Sequence, residues 1–284
     1  MTDTALHGRI AKLYDDTTRG WLDVWGEHLH HGYYGPAGDE KKDHLQAQED
    51  MVDAVFDWAG PPPDGKIERL FDAGCGVGGS SRHLSRRLGA QAHGYTLSPV
   101  QKALGDELSG GLPVQLTVGD ATRTGLPDGS FDLVWALESG EHMPDKLAFM
   151  REMCRLLRPG GRLIVATWCH RPLPPALGRR EQWRLNAISR SFGSSLTWVP
   201  LSHYEQLAAQ LPLAELRTAD WSETISPFWS AVSRSVATRK GVRALLEGGR
   251  SMVRGAVGGL HMQAAVQSQL VRYVLLTAVR TESV

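Results

Sequence analysis

The feature that most constrains the fold of this chain is an alternation of short apolar runs and helical stretches between residues 69 and 168. Connections long enough to hold a helix join parallel strands, and those helices cover both faces of the sheet. We therefore predict an α/β fold with a mostly parallel sheet. The predicted strands are 69–73, 91–97, 114–118, 131–137, 162–167, 215–221 and 270–280, with helices at 80–88, 99–108 and 146–157.

The alternation divides the chain into four regions. Residues 1–36 hold a predicted helix and an aromatic stretch, and we expect them to form an N-terminal helical lid. Residues 37–168 form the ligand-binding core, and the alternation lapses in 169–214, which we interpret as a cap insertion. Residues 215–284 supply strands and helices that complete the core and the helical cap.

The composition argues against several classes of function. The 284 residues include 31 basic and 31 acidic side chains, whereas a protein that binds nucleic acid usually has a basic excess. Three cysteines cannot form a disulfide framework. Glu27, His28, His30 and His31 lie close together in the chain and could suggest a metal site. A third clear metal ligand is not identifiable, however, so we predict no metal site.

Location and partners follow from the same features. We find no signal peptide and no apolar run of about 18 residues, so we expect a cytoplasmic protein without a transmembrane segment. The expected partner is a small molecule, and a homo-oligomer is left open. Basic side chains in the predicted helical region 227–262 are typical of a solvated helix face, with peripheral membrane contact as the alternative.

A glycine-rich turn follows the first strand and contains Gly74, Gly76 and Gly78. Glycines at such a turn let a ligand approach the backbone. An NAD site also has an acid about 20 residues later, but residues 94–98 contain no carboxylate. Asp120, just past the third strand, can accept from an adenine amino group, although a turn or helix cap is its alternative role. A nucleoside without a pyrophosphate fits this pattern best.

Residues 70–84 resemble the first motif of class I S-adenosylmethionine-dependent methyltransferases. Other segments resemble the γ-tocopherol methyltransferase family, and together they span residues 14 to 230. These segments are 25–34, 94–101, 138–146, 167–171 and 218–222. The resemblance implies a Rossmann-like sheet of seven mostly parallel strands, S-adenosylmethionine as methyl donor, and S-adenosylhomocysteine as product.

The resemblance also implies a set of cofactor-binding residues. They are Tyr33, Asp72, Gly74, Gly76, Gly78, Thr96, Leu97, Ser98, Gln101, Gly119, Asp120, Ala121, Leu137 and Glu138. In most class I enzymes an acid at the end of the second strand holds the ribose. This chain has Thr96, Ser98 and Gln101 there, whose uncharged hydrogen bonds are individually weaker.

Two candidates for a catalytic base, Glu141 and His142, follow the fourth strand. Methyl transfer depends mainly on alignment and desolvation, and a base matters where the acceptor loses a proton. In the alternative interpretation His142 packs and bonds the cofactor while Glu141 caps the next helix. Related sugar O-methyltransferases have a His where Glu141 stands and an Asp near Thr167, so this departure favours methylation at carbon.

Aromatic side chains predict where the acceptor binds. We expect Tyr14, Trp25, His31, Trp168 and His170 to contact it, since aromatic walls suit a flat or polyprenyl molecule. Ordinary packing of the lid and cap is the alternative. The expected acceptor is a prenylated aromatic or terpenoid of bacterial secondary metabolism, methylated at carbon. Methylation at nitrogen or oxygen, a cyclase on a methyltransferase scaffold and an NAD-dependent oxidoreductase are the other hypotheses.

Overall fold

A seven-stranded sheet forms the centre of the molecule, in the order β3-β2-β1-β4-β5-β7-β6. The computed structural model describes residues 3–192, 196–228 and 249–282. The neighbouring pairs from β3 to β5 are parallel, whereas β7 runs antiparallel to both β5 and β6. The strands are β1 (Arg69–Ala73), β2 (Gln91–Thr96), β3 (Val114–Val118), β4 (Phe131–Leu137), β5 (Leu157–His170), β6 (Leu213–Asp220) and β7 (Val271–Arg280). The predicted α/β fold is confirmed.

Helices cover both faces of this sheet and begin at recognisable caps. The side chain of Asp43 accepts from two backbone N–H groups at the start of α2, and Asp145 accepts from Ala148 N at the start of α5. The helices are α1 (Asp3–Trp25), α2 (His44–Ala59), α3 (Gly79–Leu88), α4 (Pro99–Ser109), α5 (Lys146–Leu156), α6 (Arg179–Ser191), α7 (Leu201–Ala208) and α8 (Gly249–Gln267). A short 3-10 turn, Gly140–His142, lies between β4 and α5.

The apolar core has two layers because successive side chains of a strand point to opposite faces. In β4, Leu133 and Trp135 belong to one buried cluster, and Val134 and Ala136 belong to the other. All four side chains are buried. Burial on both faces explains why β4 reads as a nearly continuous apolar run, interrupted only by Asp132 near its start.

The structure extends two of the predicted elements. The strand predicted at 162–167 runs from Leu157 to His170, because Leu157 pairs with Phe131 and the far end pairs with β7 as far as His170. The helical region predicted from 227 to 262 is described from residue 249 and continues to Gln267 as α8. Residues 229–248, with Trp229 and much of the predicted basic bias, lie outside the described residues.

Within the described part of the chain, no helix combines the length and apolarity that crossing a membrane requires.

Candidate active site

A cleft of about 970 Å³ opens at the carboxyl ends of the strands, where β1 and β4 lie side by side. The first residue after each of β1 to β4 lines it, namely Gly74, Leu97, Gly119 and Glu138. Ligands of open α/β sheets bind at this edge, where the strand order reverses. Helix α1 closes the cleft from above with His7, Ile10 and Tyr14.

Most of the predicted cofactor residues meet at this cleft. Those on its wall are Asp72, Gly74, Gly76, Thr96, Leu97, Gln101, Gly119, Asp120, Ala121, Leu137 and Glu138. The structure places Tyr33, Gly78 and Ser98 away from the wall. The Tyr33 ring packs on Trp221 with centroids 5.4 Å apart, Gly78 is the N-cap residue just before α3, and Ser98 caps α4.

Glycine is required at position 74 for two reasons. Its φ of +76° lies in the left-handed region, and an added Cβ would lie 2.4 Å from Cβ of Ser139. The loops after β1 and β4 therefore approach each other more closely than a larger residue at position 74 would allow. Ser139 Oγ donates to the carbonyl of Ala73 at 2.6 Å and fixes this approach.

Polar groups on the wall are arranged for a nucleoside. Thr96 Oγ1 donates to Gln101 Oε1 at 2.6 Å, which leaves the Gln101 amide nitrogen as a donor near the glycine loop. Asp120 Oδ1 accepts from Thr122 N and Oγ1, at 2.8 and 2.7 Å, while Oδ2 lies 3.8 Å from His7 Nε2. Asp120 thus shapes a turn with one oxygen and lines the cleft.

Two buried carboxyl groups lie on β1 and just after β4. Burial raises the pKa of Asp72 to about 7, although Ser81 Oγ donates to it at 2.6 Å. Glu138 is also buried, but the neighbouring His31 ring and its hydrogen bond hold the pKa of Glu138 below its usual range. Glu138 accepts from His31 N and bonds His31 Nδ1, both at 2.7 Å.

The backbone of Glu138 is strained, since its φ of +53° lies in the left-handed region that favours glycine. The strain aims the first side chain after β4 at the N-terminal segment that precedes α2. Trp168 Nε1 donates to the same carboxylate at 3.2 Å. Glu138 therefore joins three separate parts of the chain at the base of the cleft.

The two predicted base candidates differ in position. His142 lines the cleft, and its Nε2 lies 3.2 Å from the hydroxyl of Tyr14. Glu141 lies behind this wall, where its Oε2 accepts from Thr167 Oγ1 at 2.7 Å. Glu141 is therefore in direct contact with Thr167, the residue near which the sugar O-methyltransferases have an Asp.

Burial sets the protonation of these groups. It raises the pKa of Glu141 to about 7, and the negative charge of Glu138 adds to this. Burial also lowers the pKa of His142 to about 4, helped by the charge of Lys146. The pKa of Tyr14 is raised by burial and by both carboxylates. At neutral pH the histidine is uncharged, and the Glu141 carboxyl can gain or lose a proton.

An apolar cavity of about 520 Å³ adjoins the cleft. Tyr14 and Leu29 line both spaces. The other residues that line the cavity are Leu13, Thr17, Trp21, Trp25, Ser191, Phe192 and Gly255. Lid and cap thus enclose a space that is open to an apolar molecule next to the cofactor cleft.

The structure brings two of the five predicted acceptor residues to this cavity, Tyr14 and Trp25. The other three line neither space. His31 packs against Trp168 with ring centroids 4.8 Å apart, so both support Glu138 from behind. His170 is buried at the end of β5, with its Nδ1 2.7 Å from the carbonyl of Arg171.

Several cleft residues were not predicted from the sequence. Ser139 and Met143 flank predicted residues, and their place directly after β4 was a usable signal. His7 and Ile10 carried none, because only tertiary packing brings α1 across the cleft. No group of three or more metal-ligating side chains is found within residues 3–192, 196–228 and 249–282.

Fold and site together define a class I methyltransferase that uses S-adenosylmethionine. Residues 71–165 match the protein family described as Methyltransferase domain. A protein of Oryza sativa subsp. japonica described as "Probable tocopherol O-methyltransferase, chloroplastic" is 42% identical, over 96% of this chain and 78% of its own. The chain belongs to the tocopherol methyltransferase-like family, as its sequence motifs indicated. The glycine turn, Gln101 and Asp120 provide a backbone approach and polar groups that fit this cofactor.

Other relatives act on different acceptors. The norajmaline N-methyltransferase of Rauvolfia serpentina is 33% identical, over 94% of this chain and 96% of its own. The crystal structure of geranyl diphosphate C-methyltransferase from Streptomyces coelicolor A3(2), in complex with Mg²⁺, geranyl diphosphate and S-adenosylhomocysteine, has a similar fold. Its TM-score is 0.77 at 21% identity, with 99% of this chain and 100% of that chain covered. The family match and these relatives show that the chain is a methyltransferase with S-adenosylmethionine as cofactor. The hypothesis of an NAD-dependent oxidoreductase is therefore wrong.

Proposed function

We propose that the enzyme transfers a methyl group to carbon of a small, largely apolar acceptor, a prenylated aromatic or a terpenoid. The observation that carries this proposal is the apolar cavity that meets the cofactor cleft at Tyr14. An acceptor with an apolar chain would place its reacting head beside Tyr14 and its chain between Trp21, Phe192 and Gly255. Small-molecule sites are typically lined by apolar and aromatic side chains of this kind.

The bound cofactor supplies an electrophilic methyl group, and the side chains of this chain orient and shield the reaction. Tyr14 and Leu29, shared by both spaces, would align the acceptor and exclude water. The uncharged His142 holds the Tyr14 hydroxyl in place. Attack by a ring or alkene carbon would form a carbon–carbon bond as the methyl–sulfur bond breaks, with S-adenosylhomocysteine as the leaving group, and would leave a proton to be removed from the acceptor.

Glu141 is the proposed final acceptor of that proton, which would reach it by relay through the cleft wall, because Glu141 itself lines neither space. With a pKa of about 7, Glu141 is partly ionised at neutral pH, and its carboxylate form is basic enough to take up a proton. Glu141 directly precedes His142 in the chain, and the hydrogen bond from Thr167 orients its carboxyl group. The proposal therefore assigns the base to Glu141 and an orienting role to His142.

A second candidate, methylation of a phenolic oxygen, is favoured by the description of the rice relative as an O-methyltransferase. The names of the relatives cover nitrogen, oxygen and carbon acceptors, so family membership alone leaves the methylated atom open. The names that include tocopherol and geranyl diphosphate support an acceptor with a prenyl chain. A cytoplasmic location, a role in secondary metabolism and a homo-oligomer stay predictions from the sequence.

The test uses carbon-13-labelled S-adenosylmethionine with a prenylated hydroquinone and with the same ring lacking the chain. We expect the prenylated ring to have a kcat/KM at least ~10-fold higher, because one prenyl unit buries several methylene equivalents. NMR of the product should show the label bonded to ring carbon. Label on oxygen would select the second candidate, and cyclised product without label would select the cyclase.

A pair of tryptophan variants tests the cavity. Trp21→Ala should reduce the preference for the prenylated ring by ~10-fold, since Trp21 lines the cavity. Trp183→Ala is the matched control, because Trp183 is 56% exposed and lines neither space. Equal loss of preference in both variants, or in neither, would contradict the proposed binding mode.

A further inference from the structure

The buried ammonium group of Lys146 has no role in the mechanism above. Lys146 is the first residue of α5 and is only 4% exposed. Its Nζ donates to three backbone carbonyls, those of Gly140 at 2.7 Å, Glu141 at 3.2 Å and Met143 at 2.6 Å. All three belong to the 3-10 turn and the residue that follows it. One side chain thus bonds three of the four backbone carbonyls of residues 140–143.

The count of donors explains why a lysine suits this position. A charged ammonium group has three N–H donors and no acceptor, which matches three converging carbonyls. A single turn of 3-10 helix leaves its last carbonyls without partners in the helix, and such groups are costly when buried. The Gly140 carbonyl also accepts from Met143 N at 3.2 Å and the Glu141 carbonyl from Thr197 N at 2.9 Å, and the shortest of the three Lys146 bonds, at 2.6 Å, goes to the Met143 carbonyl.

We propose that Lys146 is a positioning residue, which fixes the turn at 140–143 and thereby holds Glu141 and His142 in their places behind and on the cleft wall. The inference rests on the proposed function for the role of Glu141. The side chain of Lys146 does not itself line the cleft. It acts through the backbone of the turn and through its charge.

The charge acts on Glu141, whose surroundings contain few other charges. Four neutral groups face it: Tyr14 from α1, Cys169 from β5, Tyr204 from α7 and Tyr273 from β7. Burial raises the pKa of each of the four, so they stay uncharged at neutral pH.

The charged neighbours of Glu141 are Glu138, which raises its pKa, and Lys146, which lowers it. Burial itself lowers the pKa of Lys146 to about 8. Lys146 therefore offsets Glu138 as long as it keeps its proton, and it loses this effect in mildly alkaline solution.

Lys146→Met removes the charge and the donors at nearly the same length. We expect turnover to fall at least ~10-fold while the dissociation constant of S-adenosylhomocysteine changes less than ~3-fold. The titration of Glu141, followed by carbon-13 NMR of labelled glutamate carboxyl groups, should move to higher pH. The control is Lys102→Met, because Lys102 is an exposed lysine on α4 that pairs with Asp106.

Lys146→Arg provides a second test that does not depend on Met being tolerated. Arginine stays protonated at all accessible pH values, so the loss of turnover expected in the wild type above pH 8 should be absent in this variant. Two results would overturn the inference. One is a Glu141 titration in Lys146→Met at the same pH as in the wild type, and the other is turnover of Lys146→Arg that falls at the same alkaline pH as in the wild type.

The failure of the inference can be separated from that of the proposed function. Glu141→Gln, measured in parallel, tests only the assignment of the base. If Glu141→Gln keeps full turnover, the base is wrongly assigned, and the inference for Lys146 falls with it. If Glu141→Gln loses turnover while the NMR titration of Glu141 is unmoved in Lys146→Met, only the inference is overturned.

Discussion

Glu138 and Glu141 lie three residues apart and hold their protons differently because their partners differ. Glu138 bonds the ring and backbone of His31, and its pKa is held down. Glu141 bonds the hydroxyl of Thr167, and burial raises its pKa. Carboxyl groups separated in this way are typical of sites that divide structural and acid–base roles.

At this scale we predict the effect of Glu141→Gln. Turnover on a carbon acceptor should fall ~100-fold, because the amide cannot take up a proton. The affinity for S-adenosylhomocysteine should change less than ~2-fold, since Glu141 does not line the cleft. Wild-type turnover should rise with pH through about 7, as the carboxyl with its raised pKa loses its proton. Stopped assays across pH 5 to 9 measure this.

The control for that prediction is Glu152→Gln. Glu152 lies on α5, where it pairs with Arg155 and accepts from Thr124, away from the cleft. It undergoes the same chemical change without touching the site. Turnover that falls equally in both variants would show general damage, and an unaffected Glu141→Gln would remove Glu141 as the base.

At the scale of elements, the contact of α1 with α4 decides how the lid closes. Asp15 of α1 accepts from Ser98 Oγ and, at 3.4 Å, from Val100 N, so its carboxylate lies at the N-terminus of α4. Anionic side chains are stabilised at this end of a helix. Together with the Tyr14–His142 contact, Asp15 holds α1 across the cleft.

We predict that Asp15→Asn weakens cofactor binding by about 2- to 5-fold, the factor expected for loss of a charge at a helix N-terminus. Isothermal titration with S-adenosylhomocysteine measures it. Asp16→Asn is a closely matched control, because Asp16 is the next residue of α1 and pairs with the exposed Lys12. The prediction fails if both variants bind as the wild type does, or if Asp16→Asn weakens binding as much.

At the scale of the whole molecule, the cleft joins parts that are far apart in the chain. Its wall includes residues of α1, the turns after β1 to β3 and the segment after β4. A ligand that binds there stabilises the folded state over the unfolded state as a single cooperative unit.

S-adenosylhomocysteine at 100 times its dissociation constant should add about 2.7 kcal/mol to the free energy of unfolding. For a chain of this size, Tm should rise by roughly 5 °C, as measured by differential scanning calorimetry. NADH at the same concentration is the control and should leave Tm unchanged, because β2 ends without the acid that holds an NAD ribose. Stabilisation by NADH instead would contradict the cofactor assignment of the cleft.

Local patterns predicted the elements that the site uses. The strands at 69–73, 114–118 and 131–137 agree with β1, β3 and β4. The glycine turn was recognisable in the sequence, and the positive φ values of Gly74, Gly76 and Gly78 give the physical reason for that residue type there. Tyr33, Ser98 and His170, which were predicted to contact ligands, do not line the cleft or the cavity, because motif membership does not show which way a side chain points.

The α/β fold, the methyltransferase motifs and the expected position of the cofactor at the carboxyl edge of the sheet could all be read from the amino-acid sequence. These depend on periodicity and on residue types close together in the chain. Only the tertiary structure decided which groups meet: Thr167 with Glu141, 26 residues apart, and Ser98 with Asp15, 83 residues apart. The reason is physical, because burial and partner charges set the protonation of a carboxyl group, and both arise only when distant segments pack together.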